Sequence, residues 1–160
     1  MNNSATEKRI SRARRLLADV TPLQTDCGAL CGGACCRGDE GTGMLLFPGE
    51  DTPFRVLTAG TRRLAVCPGV CDRSRRPLSC MLFPLFPAAD EAGNVRLLSD
   101  ARGRAVCPLA RQARAVRFDR RFVRRVNTVG RFLARDEALL AFLRENAAEI
   151  RSVSALLDRF

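Results

Sequence analysis

Eight cysteines are the residues of this chain best equipped for chemistry, and four of them fall within ten residues, at Cys27, Cys31, Cys35 and Cys36. Cys67, Cys71, Cys80 and Cys107 follow. A thiolate is a soft metal ligand. Gly28, Gly32 and Gly33, set between the first four, let the backbone turn tightly enough for several sulfurs to converge. The expected chemistry is therefore ligation of one or two metal centres by cysteine.

Histidine is absent, so any zinc or iron site must be all-cysteine or completed by carboxylate or water. The same absence removes the commonest general base at neutral pH and argues against hydrolytic or nucleophilic catalysis. Structural zinc sites usually pair their ligands in C-x2-C knuckles. Here the short gaps are three residues, in C-x3-C-x3-C-C and again at Cys67 and Cys71, which points toward an iron–sulfur cluster, [4Fe–4S] first, with zinc as the alternative. Cys67-Pro68 and Cys107-Pro108 repeat a dipeptide found at ferredoxin ligands. Eight thiolates suffice for two complete sites, or for one site plus structural thiols. Adjacent Cys35 and Cys36 are expected to diverge, serving different centres or leaving one buried as a small hydrophobe.

The surrounding chain must supply the scaffold. Its 160 residues amount to about one domain. No apolar run reaches the roughly 20 residues that span a bilayer, and Met1 to Arg15 has no secretory pattern. The expected setting is the reducing cytoplasm, where clustered cysteines bind metal rather than pair as disulfides. Residues 4–20 carry a helical stripe (Ile10, Ala13, Leu17, Val20) behind a capping box at Ser4 and Glu7, closed by Pro22. Residues 24–43 are glycine-rich loop. Gly41-Thr42-Gly43 is read as a turn rather than a phosphate loop.

Short strands are expected at Met44–Phe47 and Leu64–Val66, and a strand or helical turn at 53–57. Met81–Phe86, cut by Pro84, reads as an edge or irregular segment. It pairs with Val95–Leu98 across the Gly93-Asn94 turn. From Pro108 the texture is helical. Phe118, Phe122, Val126, Val129 and Leu133 form one stripe, with Arg114, Arg117, Arg121 and Arg124 on another face. Further helices are expected at 136–149 and, from a Ser152 cap, at 152–160. The expected fold class is α+β: a single domain over residues 1–160. Its cysteine-rich core at 24–108 has loops and short strands around a metal centre, and C-terminal helices follow at 109–160.

The first cysteine cluster, then Cys67, Cys71 and the run Arg75-Arg76-Pro77-Leu78-Ser79-Cys80-Met81-Leu82-Phe83-Pro84, resembles the YkgJ-type cysteine-cluster proteins, described as zinc- or iron-chelating domains. The resemblance covers roughly residues 24–108 and rests most on the Arg-Pro-x-x-Cys element. It implies that Cys27, Cys31, Cys35, Cys36, Cys67, Cys71 and Cys80 are ligands, with Cys107 at a later ligand position. It also implies that Arg76 and Pro77 fix the loop delivering Cys80. Ser74 stands where that pattern has an aromatic residue, and Met81 where it often has arginine. Glu50 falls where many such proteins carry an acid; a solvated surface carboxylate is the plain alternative. Flagellin lysine N-methylases belong to the same family and combine an iron–sulfur cluster with S-adenosylmethionine. No strand, glycine-rich loop and acid for binding that cofactor follow here.

The chain is strongly basic, at +10, and the charge is uneven. Residues 108–135 hold nine arginines against one acid, whereas residues 21–60 carry a net excess of three acids. Arg114, Arg117, Arg121 and Arg124 are candidate anion-binding residues. Three functions follow as expectations: a metal or iron–sulfur protein whose centre is structural, carries electrons or is handed to a protein partner; a methylase of the flagellin N-methylase kind; or a zinc-stabilised nucleic-acid-binding adaptor.

Overall fold

The computed structural model describes residues 3–37, 41–69 and 72–159. Among these the protein is a mixed α+β fold with six helices and two small antiparallel sheets. Helix α1 (Asn3–Leu17) buries Ile10, Ala13 and Leu17 as its spacing requires. It already runs from Asn3, so Ser4 lies inside its first turn and not at a cap.

The first sheet orders β1 (Gly43–Leu45), β3 (Arg62–Val66) and β2 (Val56–Ala59), with β3 in the centre. Pairing of β1 and β3 sets Gly43 opposite Val66 and Leu45 opposite Leu64. The expected irregular segment at 81–86 divides in two. Its first part belongs to helix α3 (Leu78–Leu82) and its second to strand β4 (Leu85–Ala89), with a cis Phe83-Pro84 peptide between them. The expected hairpin forms: β4 pairs with β5 (Val95–Ser99), Leu85 opposite Ser99. All five residues of β4 are buried, because α5 (Arg120–Leu133) and α6 (Glu137–Leu157) both pack on it. Gly130 permits the close approach of α5, since a Cβ there would strike Pro87 and Val95.

The C-terminal helices differ from the sequence expectation in two places. Asp119 accepts the amides of Arg121 (2.8 Å) and Phe122 (3.0 Å), which starts α5 at Arg120. Arg114 and Arg117 therefore precede the helix and do not share its face with Arg121 and Arg124. The expected break before Ser152 is also absent. Residues 137–157 contain neither glycine nor proline, and Ile150 extends the buried stripe of Leu139, Leu143 and Ala147, so α6 runs through Ser152 unbroken.

Helices α1 and α5 pack antiparallel. Arg121 meets Asp19 at one end, and at the other Thr6 donates to the Asp136 carboxylate at 2.9 Å. That same carboxylate caps α6 through the Leu139 amide (3.2 Å). Among the described residues, no helix is long and apolar enough to cross a membrane.

Candidate metal centre

The described cysteines come to one end of the fold from five separate elements. Cys27 precedes the short helix α2 (Gly28–Cys31), whose first free amide, Gly28 N–H, is received by the Asp26 carboxylate at 3.0 Å. Gly32 and Gly33 both take left-handed backbone conformations, φ 59° and 67°, which glycine adopts without a Cβ clash. They reverse the chain into a 3₁₀ turn (Ala34–Cys36) carrying Cys35 and Cys36. Cys67 leaves the end of β3, its amide donating to Thr42 O at 2.9 Å and its thiol to Cys36 O at 3.6 Å. Cys80 sits on α3, and Cys107 caps the short helix α4 (Pro108–Arg111).

Cys27, Cys35, Cys36, Cys67 and Cys80 line one cavity of about 90 Å³ together with Arg76. A smaller adjoining cavity of about 30 Å³ is lined by Cys27, Cys31, Cys35 and Cys107. Cys27 and Cys35 therefore face both, and the Phe83 ring borders each. Seven of the eight expected ligand residues thus meet at two joined cavities; Cys71 lies outside the described residues. Among the described residues, no three of these donors are gathered into a ligand set for a single ion.

Cys35 and Cys36 do not diverge as expected. A 3₁₀ turn has about three residues per turn, so consecutive side chains are about 120° apart rather than opposed. Their sulfurs stand 3.9 Å apart. Thiolates at about 2.3 Å from a tetrahedral zinc are separated by about 3.8 Å, so this pair has the spacing of one tetrahedral edge. The donor set is soft and free of histidine, which fits zinc or an iron–sulfur cluster.

The thiols at this end are electrostatically coupled. The Cys35–Cys36 pair shares a hydrogen bond, so one thiol is pushed down and the other up: a single thiolate forms readily and a second does not. Arg76 and the Cys67 thiol further favour the charged form of Cys36. Burial pushes the Cys27 thiol up, and nearby Asp26, Cys107 and Cys31 add to the effect.

Glu50, expected either at a family acid position or as a solvated surface carboxylate, is not solvated. It is 2% exposed, and its carboxylate accepts the amides of Phe47 (3.1 Å) and Leu78 (2.6 Å). It thereby satisfies the first turn of α3, behind Arg76-Pro77 and two residues ahead of Cys80. Burial holds its carboxyl above the usual carboxylate range, although both amide bonds and the charges of Arg14 and Arg63 oppose this. Arg63 also donates to the Glu50 carbonyl at 2.8 Å. In the sequence after Pro48-Gly49, nothing distinguishes Glu50 from the exposed Asp51 beside it.

The expected arginine face is dispersed. Arg121 is paired with Asp19 at 2.9 Å, and Arg124 donates to Arg120 O at 3.3 Å. Arg114 and Arg117 are exposed in the segment before α5.

No protein-family model matches this chain, and no match exists among the curated proteins or solved structures compared with it.

Proposed function

We propose that this protein binds metal through its clustered cysteines, as expected of the cysteine-cluster family its motif resembles. The observation carrying this reading is the convergence of Cys27, Cys35, Cys36, Cys67 and Cys80, from distant parts of the chain, on one cavity beside Arg76. Crowded thiols that oppose one another's ionisation gain most from a cation. Cys31 and Cys107, across the shared Cys27 and Cys35, are the ligands available to a second ion or to a larger cluster.

The Cys35–Cys36 edge of 3.9 Å favours a single tetrahedral ion of the zinc type. Corners of an iron–sulfur cubane, each on its own iron, hold their cysteine sulfurs farther apart. Loading would draw the sulfurs together and lock loop 27–36 against β3 and α3. Such a centre would stabilise the fold or deliver metal to a protein partner.

Cobalt(II) titration of the reduced, metal-free chain tests this reading. A thiolate-to-cobalt charge-transfer band with intense tetrahedral d–d absorption, displaced by zinc, is the expected result. Octahedral, weakly coloured cobalt that is unaffected by Cys36→Ser would refute it.

A further inference from the structure

We infer that the groove between the last turns of α1 and the 3₁₀ turn at Arg73–Arg75 is a binding site for a tetrahedral oxyanion, of the phosphate-monoester class. The groove encloses about 570 Å³ and is lined by Ser11, Arg14 and Arg15 from α1, by Asp72 and Arg73 from the facing turn, and by Met81.

Three guanidinium groups thus face one concavity, and among the described residues none is ion-paired with a carboxylate. The wall also holds one acid, Asp72, whose single negative charge the three guanidinium groups outnumber. Asp72 accepts the Ser74 amide at 2.9 Å as the cap of its turn, and also bonds the Ser74 hydroxyl.

Two of the arginines are held in place by bonds that consume few of their donors. Arg14 donates to Ser74 O at 2.8 Å, and Arg73 donates to Ala18 O (3.4 Å) and Val20 O. A guanidinium has five N–H groups, so most remain for a ligand. The Arg15 guanidinium and the Ser11 hydroxyl make no hydrogen bond among the described residues, and both residues are exposed. Donors arriving from two walls suit an oxyanion with oxygens in three dimensions, whereas a flat carboxylate would be satisfied by one arginine fork. Oxyanion binding here does not depend on whether the thiolates carry metal, although Arg73 and Met81 border both cavities.

The test is titration of the full chain with inorganic phosphate at constant ionic strength, followed by amide NMR, with acetate in a parallel arm. Saturable shifts centred on Ser11, Arg15 and Ser74 are expected. Arg15→Ala should weaken binding roughly tenfold, and Arg131→Ala on the surface of α5 should leave it unchanged. Arg15 is exposed and holds no element in place, so its variant should fold, as a thermal melt would verify. Arg73→Lys, which keeps the charge but loses the fork, should weaken phosphate binding as well. Non-saturable shifts, equal response to acetate, or binding unchanged in Arg15→Ala would each overturn the assignment.

Discussion

The Glu50 carboxylate receives the Leu78 amide at 2.6 Å inside the protein, joining the Pro48-Gly49 turn after β1 to the helix that carries Cys80. With the Phe47 amide at 3.1 Å, this is a buried acid used as a backbone clamp rather than as a metal ligand. Replacing it by alanine strands two buried N–H groups, at about 1–3 kcal/mol each. Glu50→Ala is expected to lose roughly 3 kcal/mol in urea denaturation. It should also slacken the position of Cys80, lowering metal affinity in competition with a chelator.

The same residue sets a pH dependence. Its native pKa is raised by burial, so the folded chain binds more protons than the unfolded chain between the ordinary glutamate value, about 4.3, and the raised native one. Its contribution to stability therefore falls as pH rises through that window. Glu50→Gln should flatten this slope, so the stability difference between wild type and variant should itself change with pH. A constant difference across the window would show that Glu50 does not titrate abnormally.

Gly130 separates local propensity from packing. In an exposed helix, Gly→Ala would stabilise by about 1 kcal/mol. Here the new methyl would collide with Pro87 and Val95 of the hairpin. Gly130→Ala should destabilise the chain by about 1–3 kcal/mol, read as a lower midpoint of thermal unfolding.

Asp136 serves two helices, capping α6 and receiving Thr6 from α1. Asp136→Ala should cost about 1–2 kcal/mol, whereas Thr6→Val, which removes only the second bond, should cost less. Chemical denaturation of both variants checks the order.

Legibility followed the range of the interactions involved. The β4–β5 hairpin was readable because Gly93-Asn94 and the flanking apolar runs are local signals. The stripe of α5 was readable for the same reason, but its start was not. That start depends on the Asp119 cap, which leaves Arg114 and Arg117 outside the helix that carries Arg121 and Arg124. Helix α3 was hidden because its cap comes from Glu50, 28 residues away. Within the site, the cysteines were visible by type. Their sharing between two joined cavities depends on β3, α3 and α4 docking together. The closeness of Cys35 to Cys36 depends on a turn that Gly32 and Gly33 start, and spacing alone does not specify that geometry.

The central claim is that the clustered thiolates hold metal, and composition makes one measurement unusually direct. With no tryptophan or tyrosine, the chain absorbs little near 280 nm, so ligand-to-metal bands stand on a clean background. The chain should be purified without oxygen and analysed for zinc, iron and acid-labile sulfide, alongside its ultraviolet–visible spectrum and the Cys36→Ser and Cys67→Ser variants. The expected result is stoichiometric metal in the wild type, zinc without sulfide for the single-ion centre, and a marked loss in both variants. A folded wild-type chain that contains neither metal nor sulfide, and takes up none when zinc or iron is supplied under reducing conditions, would contradict the account.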